Sequence, residues 1–505
     1  MTDPKAAAAS IIARPSRVRY LVLALLCSLA FITYLDRVCI SQVQDHIARD
    51  LQFEHLNSDD LRRLEAAAVS NYAQILTADD EKALVEEGLS SDSDARRQAA
   101  IRRLADARKK QRLSWLFAAF LIGYTLFEIP GGWLGDIWGA RSVILRIVIW
   151  WSIFTALTGS VDTVIGWFIS SPEPWLLVFG MVLVRFLFGL GEAGAYPNVS
   201  RALARWFPYR ERAMAQGLIW TASRLGGAFS LPIIILLTNR LGDWRTAFWL
   251  LGILGVVWAV IFFWWFRDRP EEKASVNAAE AELIRSAAAG AGSIYDDASH
   301  HKVPWLYLAR SVNLWAIYLA AAAVSFSWYF NVTFLPTYIK DVYGVDYKDS
   351  WAIAMWPLLI SACFCGMGGV GSDYLIRRTG SRRWGRSLFG LVGFTLAGVC
   401  VVIAQAMPTA VLFITAVCVA CALQDLAIPC IWSVAADVGG RYAGTVSGYM
   451  NAVGGVGGAL GILVIPPVAE RFGMPMVLIV NAVVYVIGGL LWLRIDATET
   501  IFQGD

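Results

Sequence analysis

Four charged residues stand in segments that are otherwise apolar enough to span a bilayer. Asp36 and Arg37 lie side by side in FITYLDRVCI (Phe31 to Ile40), inside an apolar run from roughly Tyr20 to Val43. Arg185 and Glu192 lie seven residues apart in RFLFGLGEAGAYPN. A charge at membrane depth costs about 3 kcal/mol or more unless it is paired, so each needs a reason to be there. Seven residues make about two helical turns, which puts Arg185 and Glu192 on one face roughly 10 Å apart. If both helices face one cavity, they build a site with two cations and two carboxylates. A guanidinium is a planar fork that holds a carboxylate bidentately, so Arg37 and Arg185 can clamp an organic anion. Burial penalises an ionised carboxylate, which makes Asp36 and Glu192 candidate proton carriers. Glu192, beside Gly191 and Gly194 with few other polar neighbours, is the better of the two. Asp36 can pair with Arg37 or Arg185 when the anion leaves. Such competition couples a proton to a substrate. The plain alternative is a buried ion-pair network that only fixes helix packing.

The composition fits a polytopic membrane protein. Of 505 residues, 57% are hydrophobic and 16% charged, against about 25% charged in soluble domains. The 22 tryptophans suit interfacial belts. A net charge of +3 gives no reason to expect a nucleic-acid partner. All eight cysteines fall in apolar segments and read as small core hydrophobes. Cys418 and Cys421 have zinc-like spacing but no second pair, and the four histidines lie outside the apolar segments. With no nucleophile–base pair or metal cluster in those segments, an enzyme is not expected. The basic N-terminus precedes an apolar run too long for a signal peptide, so it reads as a retained first helix.

Those charges need helices to carry them. Apolar windows recur about twelve times, near 18–43, 114–135, 142–160, 175–203, 213–238, 246–266, 308–338, 350–376, 387–406, 409–436, 444–467 and 474–494. Arg and Lys concentrate before the first window and in the fourth-to-fifth and eighth-to-ninth connections, which predicts both termini in the cytoplasm. The expected organisation is an N-terminal segment 1–17, a six-helix half 18–266, a cytoplasmic linker 267–307, a second six-helix half 308–494 and a tail 495–505. Residues 44–113 interrupt the first half as an outside insert. Its capping residues and composition predict a solvated helical hairpin or a partly disordered insert.

The chain also repeats itself. GGWLGDIWGARS (131–142) corresponds to GGVGSDYLIRRTG (368–380), placing Asp136 opposite Asp373. RAMAQG (212–217) corresponds to RYAGTVSG (441–448), each with a glycine pair nine residues beyond its last glycine. Pro197 and Pro429 fall at one offset to within a residue. Two six-helix halves related by duplication follow, with glycines at close helix crossings.

GGWLGDIWGARS resembles the loop motif of the major facilitator superfamily, Gly-x-x-x-Asp-Arg-x-Gly-Arg. Ile137 stands where the family usually has Arg, while Asp136, Gly139 and Arg141 remain. Asp373, Arg377 and Arg378 match in the second half. The resemblance implies an all-α membrane protein of twelve transmembrane helices in two pseudo-repeats, with these residues gating one end through the dipole of a helix start. YLDRVCIS, RFLFGLGEAGAYPN, DWRTAFWLLG, RDRP, WYFNVTFLPTYI, RRTGSRRWGR and DVGGRYAGTVSGYMNAVGG together resemble one branch, the anion:cation symporter family. That branch holds hexuronate, aldonate and glucarate transporters, sialin and the vesicular glutamate transporters. The resemblance runs from about Arg17 to Leu493, apart from the insert.

The resemblance implies protonation at Asp36 and Glu192 and substrate carboxylate binding at Arg37 and Arg185. It further implies polar contacts from Tyr34, Tyr124, Asn331, Trp432, Ser433 and Asn451, each of which could equally be packing. Ser223-Arg224 stands near a helix-five position where many members have Gln. Arg224 then either favours a dianion or pairs with a carboxylate. Glu128, just before Pro130, is expected in a salt bridge near one membrane face, and Asp425 has no assigned role. The expected function is proton-coupled symport of a small carboxylate, a sugar acid, by alternating access. No cofactor is expected beyond protons as coupling ion, and the chain is expected as a monomer in the bilayer of the inner membrane. Proton-independent anion exchange and a non-transporting sensor of a sugar acid stay open.

Overall fold

The computed structural model describes residues 14–288, 303–331, 335–344 and 351–501. The start of the N-terminal segment, the middle of the linker and the end of the tail lie outside the described residues. The principal first-half helices are α1 (Val18–Gln42), α2 (Ser58–Ala68), α3 (Ala78–Glu86), α4 (Ser93–Trp138), α5 (Ala140–Thr158), α6 (Pro174–Glu192), α7 (Ala195–Trp206), α8 (Arg212–Leu241) and α9 (Trp244–Trp265). The linker contributes α10 (Ala278–Ala288). The second half holds α11 (Val312–Tyr329), α12 (Leu335–Tyr343), α13 (Trp351–Thr379), α14 (Arg382–Ala404), α15 (Ala410–Asp425), α16 (Ile428–Gly439), α17 (Ala443–Phe472) and α18 (Met474–Leu491).

Eleven helical stretches among the described residues are long and apolar enough to cross a membrane. One of them, Ala410–Phe472, runs 63 residues. A straight helix of that length would be about 95 Å, roughly three hydrocarbon thicknesses. The chain instead turns at Gly440, with φ 53°, and crosses twice. Twelve passes result.

The halves repeat their packing. In the first, α1 packs on α8, α4 on α6 and α5 on α9. In the second, α11 packs on α17, α13 on α15 and α14 on α18. Two seams join the halves, α8 against α13 and α4 against α17. Glycine makes both seams possible. A Cβ on Gly132 would strike the Gly444 carbonyl, and one on Gly369 would strike the Ala213 carbonyl. Gly132 and Gly369 share the sequence offset of Asp136 and Asp373.

Two sequence windows divide differently from expectation. The fourth breaks at Gly194 (φ 84°), ahead of Pro197 in the first turn of α7. The tenth breaks between Asp425 and Ile428, ahead of Pro429. Apolar content continues through each break, so the windows look continuous in sequence. The insert differs as well. Its last helical segment does not end before the second pass, because no Gly or Pro stands between Ser93 and Ile122. One 46-residue helix, α4, spans both.

The insert builds a small core of its own from Leu64, Tyr72, Leu76 and Leu84. Capping boxes start α2 at Asn57 and α3 at Thr77. Arg108 on α4 grips Asp60 at 2.6 and 2.9 Å. Burial alone pushes the Asp60 carboxyl up, but the Arg108 guanidinium and the Asn57 backbone N–H hold it below the usual carboxylate range.

Candidate functional site

Between the halves lies a cavity of about 470 Å³. From the first half, Tyr34, Arg37, Tyr124 and Arg224 line it; Asn331, Trp432 and Asn451 line it from the second. Its floor is aromatic. Tyr196 stacks on Trp220 with centroids 4.8 Å apart, and Trp220 lies 5.6 Å from Trp432.

Arg37 is the central cation. Its Nε and Nη2 donate to Glu192 Oε1 at 3.1 and 2.5 Å. Its guanidinium stands 4.6 Å from the Tyr124 ring centroid and 5.3 Å from that of Tyr34. Aromatic faces attract a guanidinium without neutralising it, so Arg37 keeps its capacity to bind an anion. Glu192 is the last residue of α6, at the break. A broken helix in a membrane needs its freed backbone groups satisfied. The Gly194 N–H donates to Glu128 Oε2 at 3.3 Å, and Asn198 Nδ2 donates to the carbonyls of Gly131 and Gly194. Glu192 is thereby left free of any backbone duty at the break.

The other two charges of the expected quartet are not on the cavity wall. Asp36 is 2% exposed, and neither carboxylate oxygen makes a well-formed hydrogen bond. The Thr155 hydroxyl is the polar group beside it. Arg185 is also 2% exposed, enclosed by Phe188 and Phe120 at 4.7 and 5.2 Å. Phe120, on the neighbouring α4, covers the face that Arg185 was expected to present. Ser433 is fully buried with no partner for its Oγ among the described residues and does not line the cavity.

Three further polar residues cross between elements. Asn451 Nδ2 donates to Tyr124 Oη and to Glu128 Oε1, both at 2.9 Å. Glu128 therefore makes neutral hydrogen bonds, and no salt bridge to it appears among the described residues. It lies beneath the cavity because α4 carries Tyr124 and Glu128 one turn apart. Arg224 pairs with Asp425 across the halves, Nε to Oδ2 at 2.8 Å and Nη2 to Oδ1 at 3.2 Å. Asn331 Nδ2 donates to the Cys421 sulfur at 3.1 Å.

One end of the bundle is sealed. Asp136, on α4, reaches across to the first turn of α17. Its oxygens accept from the Gly444 N–H at 3.1 Å and from the Thr445 N–H and hydroxyl at 2.6 Å each. Arg201 donates to the same carboxylate at 2.5 Å. Asp373, on α13, does the equivalent at the first turn of α8, accepting from Met214 N–H at 2.7 Å and Arg386 at 2.6 Å. Arg212 pairs with Asp437 across the same seam. Arg377 reaches the Arg210 carbonyl of the other half at 3.4 Å.

The remaining gating candidates do not bridge. Arg141 donates to the Phe263 carbonyl within its own half, and a Cβ on Gly139 would meet Asp268. Arg378 donates to Tyr374 on its own helix. Arg201, Arg212, Arg386, Asp437 and Thr445 were missed in sequence. Their partners lie in distant segments, though the repeated RAMAQG and RYAGTVSG stretches mark both capped helix starts. The hydrogen bonds and ion pairs described above that join the halves lie at this sealed end or around the cavity.

The model of the Major Facilitator Superfamily matches residues 26–462. A probable sulfoacetate transporter, SauU of Cupriavidus necator, is 30% identical over 400 residues, covering 78% of this chain and 87% of that protein. A probable galactarate/D-glucarate transporter, GudP of Escherichia coli, is 31% identical over 300 residues, 57% of this chain and 63% of that one. The human organic anion transporter MFSD10 has the same fold, with a TM-score of 0.62 at 14% identity, covering 95% of this chain and all of that one. The chain belongs to the Major Facilitator Superfamily, as a transporter similar to its anion:cation symporter members.

Proposed function

We propose that the protein is a proton-coupled symporter of a small organic anion of the sugar-acid class, a hexuronate, aldonate or glucarate. The observation that carries this is the Arg37–Glu192 pair, a cation at the wall of the central cavity whose one ionic partner among the described residues is Glu192. An incoming carboxylate competes with Glu192 for the guanidinium. Once displaced, Glu192 is a buried carboxylate without a countercharge, and protonation removes that cost. Substrate and proton are then bound together, and their release restores the pair. The relatives' named substrates, small acids, support the substrate class. In this reading the sealed end, both termini and the 267–307 linker face the cytoplasm of an inner-membrane protein working as a monomer. The insert 44–113 lies outside. Parting of the Asp136 and Asp373 contacts opens the inner side by rocking of the halves.

Uptake into proteoliposomes tests this. Acidifying the outside is expected to raise uptake of a transported sugar acid, and Glu192→Gln to remove that response while counterflow persists. Uptake indifferent to pH in the unaltered protein would leave the exchange reading instead. Binding of the acid without counterflow would leave the sensor reading.

A further inference from the structure

The repeat gives Glu192 a counterpart. Glu192 ends α6 and Asp425 ends α15, each just before a break followed by a proline in the next helix. Each carboxylate holds an arginine that lines the cavity, Glu192 holding Arg37 and Asp425 holding Arg224. The cavity therefore has two anchored cations on its wall. Trp220 belongs to the aromatic cluster that includes Tyr34, with centroids 6.3 Å apart. Arg37 stands against Tyr34 and Arg224 against Trp220, at 5.3 and 5.8 Å.

The two pairs differ in one respect. Glu192 gives Arg37 a single oxygen, whereas Asp425 grips Arg224 with both oxygens, and Trp328 stacks on the guanidinium at 4.2 Å. A guanidinium carries five N–H donors in a rigid fork. Asp425 engages two of these groups and fixes the plane. The rest of the fork is chemistry available to a second acidic group.

We propose that Arg224 is a second anion-binding group and that the cavity selects short diacids, one acid at Arg37 and a carboxylate or sulfonate at Arg224, with Asp425 as the positioning residue. This rests on the transport reading above. The plain alternative is that Arg224 and Asp425 are a strut between the halves.

The test is proteoliposome uptake of matched acids, D-glucarate against D-gluconate and sulfoacetate against glycolate. An ionic hydrogen bond to a charged group is worth about tenfold to a hundredfold in affinity. In at least one pair the diacid is expected to have a KM about 30-fold below that of its one-acid partner. The double variant Arg224→Gln, Asp425→Asn, which removes both charges together and strands neither, should erase that preference, read as the ratio of diacid to one-acid KM, with melting as the control for folding. Asp425→Asn should raise the diacid KM with kcat kept. The charge-swapped double variant Arg224→Asp, Asp425→Arg restores a strut but moves the cation to the other half. Return of diacid uptake in it would overturn the proposal, as would a diacid preference that survives in the Arg224→Gln, Asp425→Asn double variant. One-acid uptake without diacid preference in the unaltered protein sinks this inference alone. No uptake of any acid sinks the transport reading with it.

Discussion

Two pairs of buried carboxylates, Asp136 with Asp373 and Asp36 with Glu192, have opposite bonding. At the sealed end, both oxygens of Asp136 and of Asp373 accept hydrogen bonds, from helix-start N–H groups of the other half and from arginines. Around the cavity, both oxygens of Asp36 and Oε2 of Glu192 are buried with no well-formed hydrogen bond among the described residues. The first group is a closed account of donors and acceptors, stable while the seam is shut. The second has unmet bonding capacity, which is costly in a static protein. Unmet capacity is what a site needs if a proton or a substrate is to change its bonding. The contrast separates groups that hold a conformation from groups that respond to a ligand.

Removing the anion's cation should have the largest effect. Arg37→Gln leaves Glu192 buried and unpaired and takes away the clamp, so uptake is expected to fall at least about 100-fold. Initial rates in proteoliposomes check this, and a loss below about tenfold would move the anion site away from Arg37. Next comes Asp136→Asn, which keeps one acceptor oxygen but removes the charge facing Arg201 and the start of α17. Uptake should fall about tenfold. A cysteine placed in the cavity should label faster from the side that is sealed here. Asp36→Asn sharpens the contrast, because it removes an unpaired buried charge. Melting is expected to rise by about 2–4 °C although uptake falls, whereas Asp136→Asn lowers melting. If both variants melt lower, Asp36 is a structural group like Asp136, and the division fails.

Much of this was legible in sequence, for physical reasons that also mark where legibility ends. Hydrophobic windows and duplicated motifs give the passes and the two halves, since a bilayer imposes length and polarity on every crossing. Arg37 and Glu192 stand out as charges in apolar runs. The break after Glu192 is hidden, because Gly194 and Pro197 are tolerated in membrane helices and leave the window apolar. Arg185 shares a helix face with Glu192, but only the fold shows that Phe120 of α4 covers it. Asp425 could not be assigned because Arg224 is 201 residues away. Glu128 was read as an end-of-helix salt bridge, yet its partners are an amide of α17 and a backbone N–H of the fourth pass. Cross-chain partners are set by packing, which periodicity does not encode.

The smallest expected effect lies outside the membrane, at a carboxylate bonded like those of the sealed end. Glu280 of α10 is fully buried and accepts from the Ser16 hydroxyl, the backbone N–H groups of Val18 and Arg19, and the Arg19 guanidinium. It thereby caps α1, the helix that carries Arg37, from the linker. Burial alone pushes the Glu280 carboxyl up, but the donors from Ser16, Val18 and Arg19 outweigh it and hold it below its ordinary value. A carboxyl lowered in the folded state contributes stability that is complete above its unfolded value, about 4.3. That contribution is lost as pH falls through the lower folded value. Glu280→Gln should therefore melt about 2 °C lower than the unaltered protein at pH 7, with uptake within about twofold. The two melting curves should converge as the pH is taken below 4.3. Convergence places Glu280 with Asp136 among the groups that hold a conformation. A gap that widens on acidification would mean that the linker contact is not held by the ionised carboxylate.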